Sequence, residues 1–288
     1  MTWRPRRALK DSVTNHNETA EDSALVYQVR LPVSTGTVSY CADLLRAHLK
    51  QIGSRWRKLP AGRIALLVLA VLRHDARTAD LAGGNDISAT TIGRWCQEML
   101  ELLAARAPRL DRALKKITAA GGEVVLLDGT LIRTRRRSGV ENRRNYNGKH
   151  KSHGLLFLAL TDEKGNLLWI SSAHRGAASE ILSARRDKIA EHLRAAGLGA
   201  LADRGFVGLD TDPDDPVIIT GVKATKNKPL TSGQKLINQL IAATRAPNEH
   251  GFAALKTWRI LTRLRSKPAR ATTLLRALLV LTRLETSR

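Results

Sequence analysis

The sequence predicts an α/β fold in which an all-α region precedes a mixed sheet flanked by helices. Three observations carry this. From about Thr37 to Arg109 apolar residues recur at helical spacing. Past Gly121-Gly122 the texture changes to short apolar runs bounded by turn residues. From Thr231 onward helical spacing returns, with breaks near Pro247 and Pro268. A chain of 288 residues can bury a sizeable core, and 43% hydrophobic residues is ordinary for a folded protein.

Residues 1–24 are polar, charged and aperiodic, which predicts a flexible leader. A helical domain is expected over residues 25–118. Val38, Cys41, Leu44, Leu45 and Leu49 share one helical face, ended by Leu59-Pro60, and Ile64–Arg73 reads as a second, largely buried helix. Arg77–Leu103 gives two helical stretches separated by Gly83-Gly84-Asn85-Asp86. Ser88 or Asp86 can cap the second, whose apolar stripe is Ile92, Trp95, Met99 and Leu103. This segment resembles a helix-turn-helix: Leu81, Ala82, Ile87, Ile92 and Trp95 fit its apolar template, while Asp86 stands where a turn glycine is usual. Thr90, Thr91, Arg94 and Gln97 would then face a major groove. A plain helical hairpin is the competing reading.

The second domain is expected over residues 119–288. Its first run, Val-Val-Leu-Leu-Asp128-Gly, is short and apolar like a buried central strand. LLFLALT and NLLWISSA follow, joined by Asp162-Glu163-Lys164-Gly165 as a hairpin. Ser179–Ala196 reads as one amphipathic helix, LGALADRG as a fourth strand and VIITGV as a fifth.

Charge narrows the partners. Lys plus Arg total 48 against 26 Asp plus Glu, a net +22, with a pI near 11.0. That excess favours a polyanion, because neutralising phosphates releases counterions. Arg133, Arg135, Arg136, Arg137, Arg143, Arg144, Lys149 and Lys151 crowd a loop that starts five residues after Asp128. A solvated basic loop is the plain alternative; proximity to Asp128 favours phosphate contacts. The C-terminal segment adds Arg259, Arg263, Arg265, Lys267, Arg270 and Arg276. Cys41 and Cys96 read as free thiols, and no apolar run reaches bilayer-spanning length, so a cytoplasmic, nucleoid-associated protein is expected.

Three carboxylates stand out. Asp128 closes the first predicted strand and Asp203 the fourth. If those strands are neighbours, the two acids share a cleft about one strand spacing wide, and a divalent cation would relieve their repulsion. Glu249, on a C-terminal helix, is the candidate third ligand. Taken singly, the aspartates also read as turn residues and Glu249 as a solvated helix charge.

The motifs VVLLDGTLI, NYNGKHKSHGLLFLALTDEKGNLLWIS, ALADRGFVGL and NEHGFAALKTWRIL resemble bacterial insertion-sequence transposases of the insertion-sequence-5 group, relatives of the Harbinger-like DDE endonucleases. Arg245, Glu249 and Lys256 reproduce the spacing of the family's Arg–Glu–Lys signature. Two positions depart from the pattern. A frequent tyrosine is Ala242 here, and a frequent Gly-x-x-His-Asp reads Gly176-Ala177-Ala178-Ser179-Glu180. The resemblance implies a ribonuclease-H-like core with a five-stranded mixed sheet, and Asp128, Asp203 and Glu249 holding two Mg²⁺, with Mn²⁺ as a substitute. It implies double-stranded DNA as partner, at element ends and target, with self-association on DNA. Arg245 and Lys256 would contact phosphates. A hydrolytic nuclease of the same fold and a catalytically silent DNA-binding descendant are the alternatives.

Overall fold

The buried run Val125-Leu126-Leu127 organises the sheet, because a strand apolar on both faces needs partners on both edges and cover on both sides. The structure, a computed structural model, describes residues 30–54, 57–136, 138–210, 212, 214–225 and 229–286. The leader expected over residues 1–24 and Arg137 lie outside the described residues. Residues Pro32–Arg288 form one compact unit.

The strands are β1 (Val124–Arg133), β2 (Tyr146–Asn147), β3 (Ser152–Thr161), β4 (Leu167–Ile170), β5 (His174–Arg175), β6 (Gly199–Ala202) and β7 (Ile218–Thr220). β1 lies between β3, antiparallel, and β6, parallel, and β7 extends the sheet parallel to β6. β2, β4 and β5 all pair with β3. The sheet is therefore mixed, but among the described residues it has seven strands and not the five expected. The two extra ones are two residues long, too short for any alternation to register in sequence. A second correction concerns β1, which does not end at Asp128. It runs on to Arg133 because the ten-residue β3 offers it a partner along its whole length, as far as Arg133↔Gly154.

The helices are α1 (Thr35–Gln51), α2 (Ala61–His74), α3 (Thr78–Gly83), α4 (Ala89–Ala104), α5 (Leu110–Ala119), α6 (Val140–Arg144), α7 (Glu180–Arg186), α8 (Ile189–Ala196), α9 (Ser232–Arg245), α10 (Pro247–Lys256) and α11 (Pro268–Thr286). The single helix expected over Ser179–Ala196 is two. Asp187 ends α7, its carboxylate bonded to buried His174 Nε2 at 2.8 Å, and Lys188 turns the chain with φ 53°. That contact is long-range, and local periodicity cannot foresee it.

One face of the sheet, through Val125, Leu127, Leu158 and Ala200, is covered by Leu114 of α5 and Ile189 and Leu193 of α8. The N-terminal helices share their packing with the C-terminus: α11 rests on α1 and α4, and Trp258, fully buried, donates Nε1–H to Thr282 Oγ1 at 3.1 Å. The texture change past Gly121-Gly122 falls between α5 and β1, and the expected domain boundary at 118/119 falls in the last turn of α5. Burial pushes the thiols of Cys41 and Cys96 up to about 12, so both stay protonated. Among the described residues no helix is long and apolar enough to cross a membrane.

Two glycines seat α10. Gly165, in the β3–β4 turn with φ 83°, lies so close to the Pro247 carbonyl that a Cβ would collide with it. A Cβ on Gly251 would in turn stand 2.5 Å from the Gly165 carbonyl oxygen. Thr161 Oγ1 adds a buried hydrogen bond to Asn248 at 3.2 Å. The hairpin turn and the start of α10 are thereby locked together.

Candidate active site

The parallel ladder between β1 and β6 closes at Leu127↔Ala202. Asp128 is the next residue of β1 and Asp203 the first residue past β6, so the two follow the last pair of neighbouring strands, which lie about 4.8 Å apart. The neighbour relation expected of strands one and four thus holds. Each aspartate commits one oxygen to local backbone. Asp128 Oδ1 accepts from Gly129 N–H at 2.8 Å, and Asp203 Oδ1 accepts from Gly205 N–H at 2.6 Å, capping a 3₁₀ turn over Arg204–Phe206. Asp128 Oδ2 faces Arg245 Nη2 at 3.3 Å.

A third carboxylate reaches this point: Glu180, the first residue of α7. Ser179 caps that helix, accepting from Leu182 N–H at 3.3 Å, and aims its start at the strand ends. A Cβ built on Gly129 would stand 2.7 Å from Glu180 Oε1, and one on Gly205 would collide with Oε2. The glycines that follow the two aspartates therefore make room for Glu180. Burial, then Asp203 and Asp128, raise the Glu180 carboxyl above its ordinary value, with Lys149 and Arg245 opposing. Asp128 is raised too, chiefly by burial, against Arg245, the Gly129 N–H and Lys149.

Glu249 is placed differently. It is exposed in the first turn of α10, and among the described residues its carboxylate makes no hydrogen bond or ion pair. Its charge is not among those that shift Asp128 or Glu180. Sequence reasoning missed Glu180 as a site residue. The available signal was its position as an acid where the resembled family has the Asp of Gly-x-x-His-Asp.

Arg245 ends α9, and Ala246 separates it from Pro247, which opens α10. The helix is broken there, yet Arg245 still turns inward; it is mostly buried, with Nε lacking a partner among the described residues. Lys256 is exposed, its Nζ 5.9 Å from the Phe252 ring centre. Ala242 lines a groove of about 290 Å³ with Asp203, Asn238 and Arg245, so the missing tyrosine leaves space beside the acids. Arg135, Arg136, Arg143, Arg144 and Lys149 are all exposed, and Arg144 pairs with Glu141 at 3.3 Å. Of these five, only Lys149 acts electrostatically on the acids.

In the N-terminal region, α3 and α4 flank a tight turn in which Asp86 takes φ 49°, a left-handed conformation, and is held by Lys58 at 2.8 Å. Ser88 caps α4, accepting from Thr91 N–H at 3.1 Å. Ile92, Trp95, Met99 and Leu103 are its buried stripe, while Thr90, Arg94 and Gln97 are exposed and Thr91 is half-buried. Arg57, Lys58, Ser88, Thr91 and Arg94 border a cleft of about 830 Å³.

Three carboxylates are hard oxygen donors of the kind Mg²⁺ and Mn²⁺ take, and backbone N–H groups orient both aspartates. Among the described residues no three acidic, histidine or cysteine side chains already close into a cage. The fit to a divalent cation is one of donor type. A family model described as DDE superfamily endonuclease matches residues 127–283, a segment that contains Asp128, Glu180, Asp203, Arg245 and Glu249. No curated protein and no solved structure matches.

Proposed function

The chain belongs to the DDE superfamily of endonucleases, and on that premise we propose that it is a DNA transposase of insertion-sequence type with a ribonuclease-H-like core. The observation that carries the site is the register: Asp128 and Asp203 follow the last parallel pair on adjacent strands. With Glu249 from α10, they would hold two Mg²⁺, with Mn²⁺ as substitute. Bound there, the ions supply charge neutralisation and an activated water for phosphoryl transfer.

The chain's own residues do the rest. Lys149 and Arg245 present positive charge to a scissile phosphate, and Lys256 contacts the backbone farther along α10. Arg135, Arg136, Arg143 and Arg144 fix the duplex by its phosphates. The α3–α4 pair reads the element end through Thr90, Thr91 and Arg94. Water attacks the phosphodiester and the 3′ oxygen leaves as a 3′-OH. That hydroxyl then attacks a target phosphodiester, expelling a target 3′ oxygen. Joining two ends calls for self-association on DNA.

One observation favours a second reading of the third carboxylate. Glu180 stands at the two aspartates while Glu249 is exposed. In that reading Glu180 helps to hold the cation in the DNA-free protein, and Glu249 engages when DNA presses on α10.

The test is cleavage and joining of duplex DNA carrying the terminal repeats that flank the coding sequence, with Mg²⁺ or Mn²⁺. We expect joined products in wild type and a drop of about 10³-fold or more for Asp128→Asn, Asp203→Asn and Glu249→Gln, with DNA binding retained. Cutting without joining would point to a hydrolytic nuclease. Binding without any chemistry would point to a silent descendant. Activity surviving the substitutions would mean other residues hold the metals.

A further inference from the structure

β1 carries Asp128 and then runs straight on, in extended conformation, to Arg133. Its exit is stitched to a distant segment of sequence. Thr134 bridges Leu264 in parallel; Leu264 N–H donates to the Arg133 carbonyl at 2.8 Å and Arg135 N–H to the Leu264 carbonyl at 3.4 Å. Thr134 and Leu264 are both buried, so the junction is anchored. Two basic stretches that are more than a hundred residues apart in sequence therefore border one groove of about 220 Å³, lined by Thr134, Arg135, Arg136, Arg265, Ser266 and Lys267, with Leu264 at its base. Among the described residues no acidic side chain lines it. Arg265 is tied to Asp75 at 3.1 Å, whereas Arg135, Arg136 and Lys267 make no ion pair among the described residues.

We infer that this groove clamps the backbone of duplex DNA at a fixed distance from the acids, with β1 as the ruler. The inference rests on the reading of the chain as an enzyme that cuts DNA. From Asp128 to Thr134 is six residues, or about 20 Å of extended strand. Base pairs rise 3.4 Å each along the duplex, so a duplex lying along β1 presents to the groove a phosphate about six base pairs from the one at Asp128. Three free cations at one spot suit a run of phosphates. Main-chain stitching keeps that spot from drifting relative to the site.

The experiment uses the full chain and a duplex carrying the terminal repeats. Binding is read in Ca²⁺, in place of Mg²⁺, as a function of salt. Single neutral methylphosphonates are then placed one by one on either side of the cut. The variant Arg135→Ala/Arg136→Ala/Lys267→Ala should lower the slope of log affinity against log salt by about 2 to 3, since each lost phosphate contact removes about 0.9. Neutral linkages about six base pairs from the cut should weaken wild type and leave the triple variant unchanged. As a control, Arg112→Ala/Lys115→Ala/Lys116→Ala, on exposed positions of α5, should alter neither readout. An unchanged slope and interference pattern in the triple variant would overturn the clamp. Wild type that cuts nothing would sink the transposase reading and with it the fixed distance from the cut, whereas a wild type that cuts while the triple variant keeps its slope would overturn the clamp alone.

Discussion

Glu180 shows how a single side chain tunes the site before any ligand arrives. Burial raises it first, then the negative charges of Asp203 and Asp128, and burial raises Asp128 as well. A carboxyl raised in the folded state keeps its proton to higher pH than in the unfolded chain. Between the two values the folded state binds more protons, so stability falls as pH rises through that window and levels off above it. Glu180→Gln has no charge to bury. In the presence of chelator, the variant should lose less stability from acid to neutral pH and should melt about 2 °C higher at neutral pH. Water reaches part of Glu180, which tempers the gain. Thermal melts across pH on wild type and variant decide it; superimposable curves would mean that Glu180 is not electrostatically frustrated. Asp128 and Asp203 were legible in sequence because an aspartate closing an apolar run is a local pattern. Glu180 was legible only through its place in the resembled family's motif, since its arrival at the aspartates depends on where Ser179 starts a helix and on two glycines clearing its path.

At the scale of elements, what the sequence displayed was type and order: helices, a central strand, a hairpin, then helices opened by Pro247 and Pro268. What it concealed were features set by distant partners. β1 continues past Asp128 because β3 is long, and α7 and α8 separate at Asp187 because His174 holds that residue. The seat of α10 is of the same kind. Gly165 combines a φ of 83° with close approach to Pro247, so Gly165→Ala is strained twice over. We expect it to cost about 1 to 3 kcal/mol in denaturant unfolding. We also expect DNA cleavage to fall more than stability alone explains, because α10 bears Glu249 and adjoins Arg245. Gly62→Ala in α2, in open space with ordinary φ, should instead be neutral or gain about 0.5 kcal/mol. Equal behaviour of the two variants would show that the hairpin turn does not position α10.

For the whole molecule, a net charge of +22 suits the proposed DNA partner, and on that reading affinity and discrimination among DNAs would come from different surfaces. Exposed loop cations such as Arg143 and Arg144 would, on the proposed reading, meet phosphates that every duplex carries. Exposed Thr90 and Arg94 lie on a capped helix with a buried opposite face, the arrangement that lets side chains reach base edges. Arg143→Ala/Arg144→Ala should therefore weaken binding equally to element-end and scrambled duplexes and flatten the salt dependence by up to about 2 in slope. The effect is capped because Arg144 already spends part of its charge on Glu141. Arg94→Ala should cost about 1 to 3 kcal/mol on the element end and little on the scrambled sequence, collapsing the ratio between them. Titrations of both duplexes at several salt concentrations measure each effect separately. If Arg94→Ala weakens both duplexes alike, α3 and α4 are a helical hairpin that binds without reading. The sequence signal for the domain would then have been only its apolar template, which both structures share.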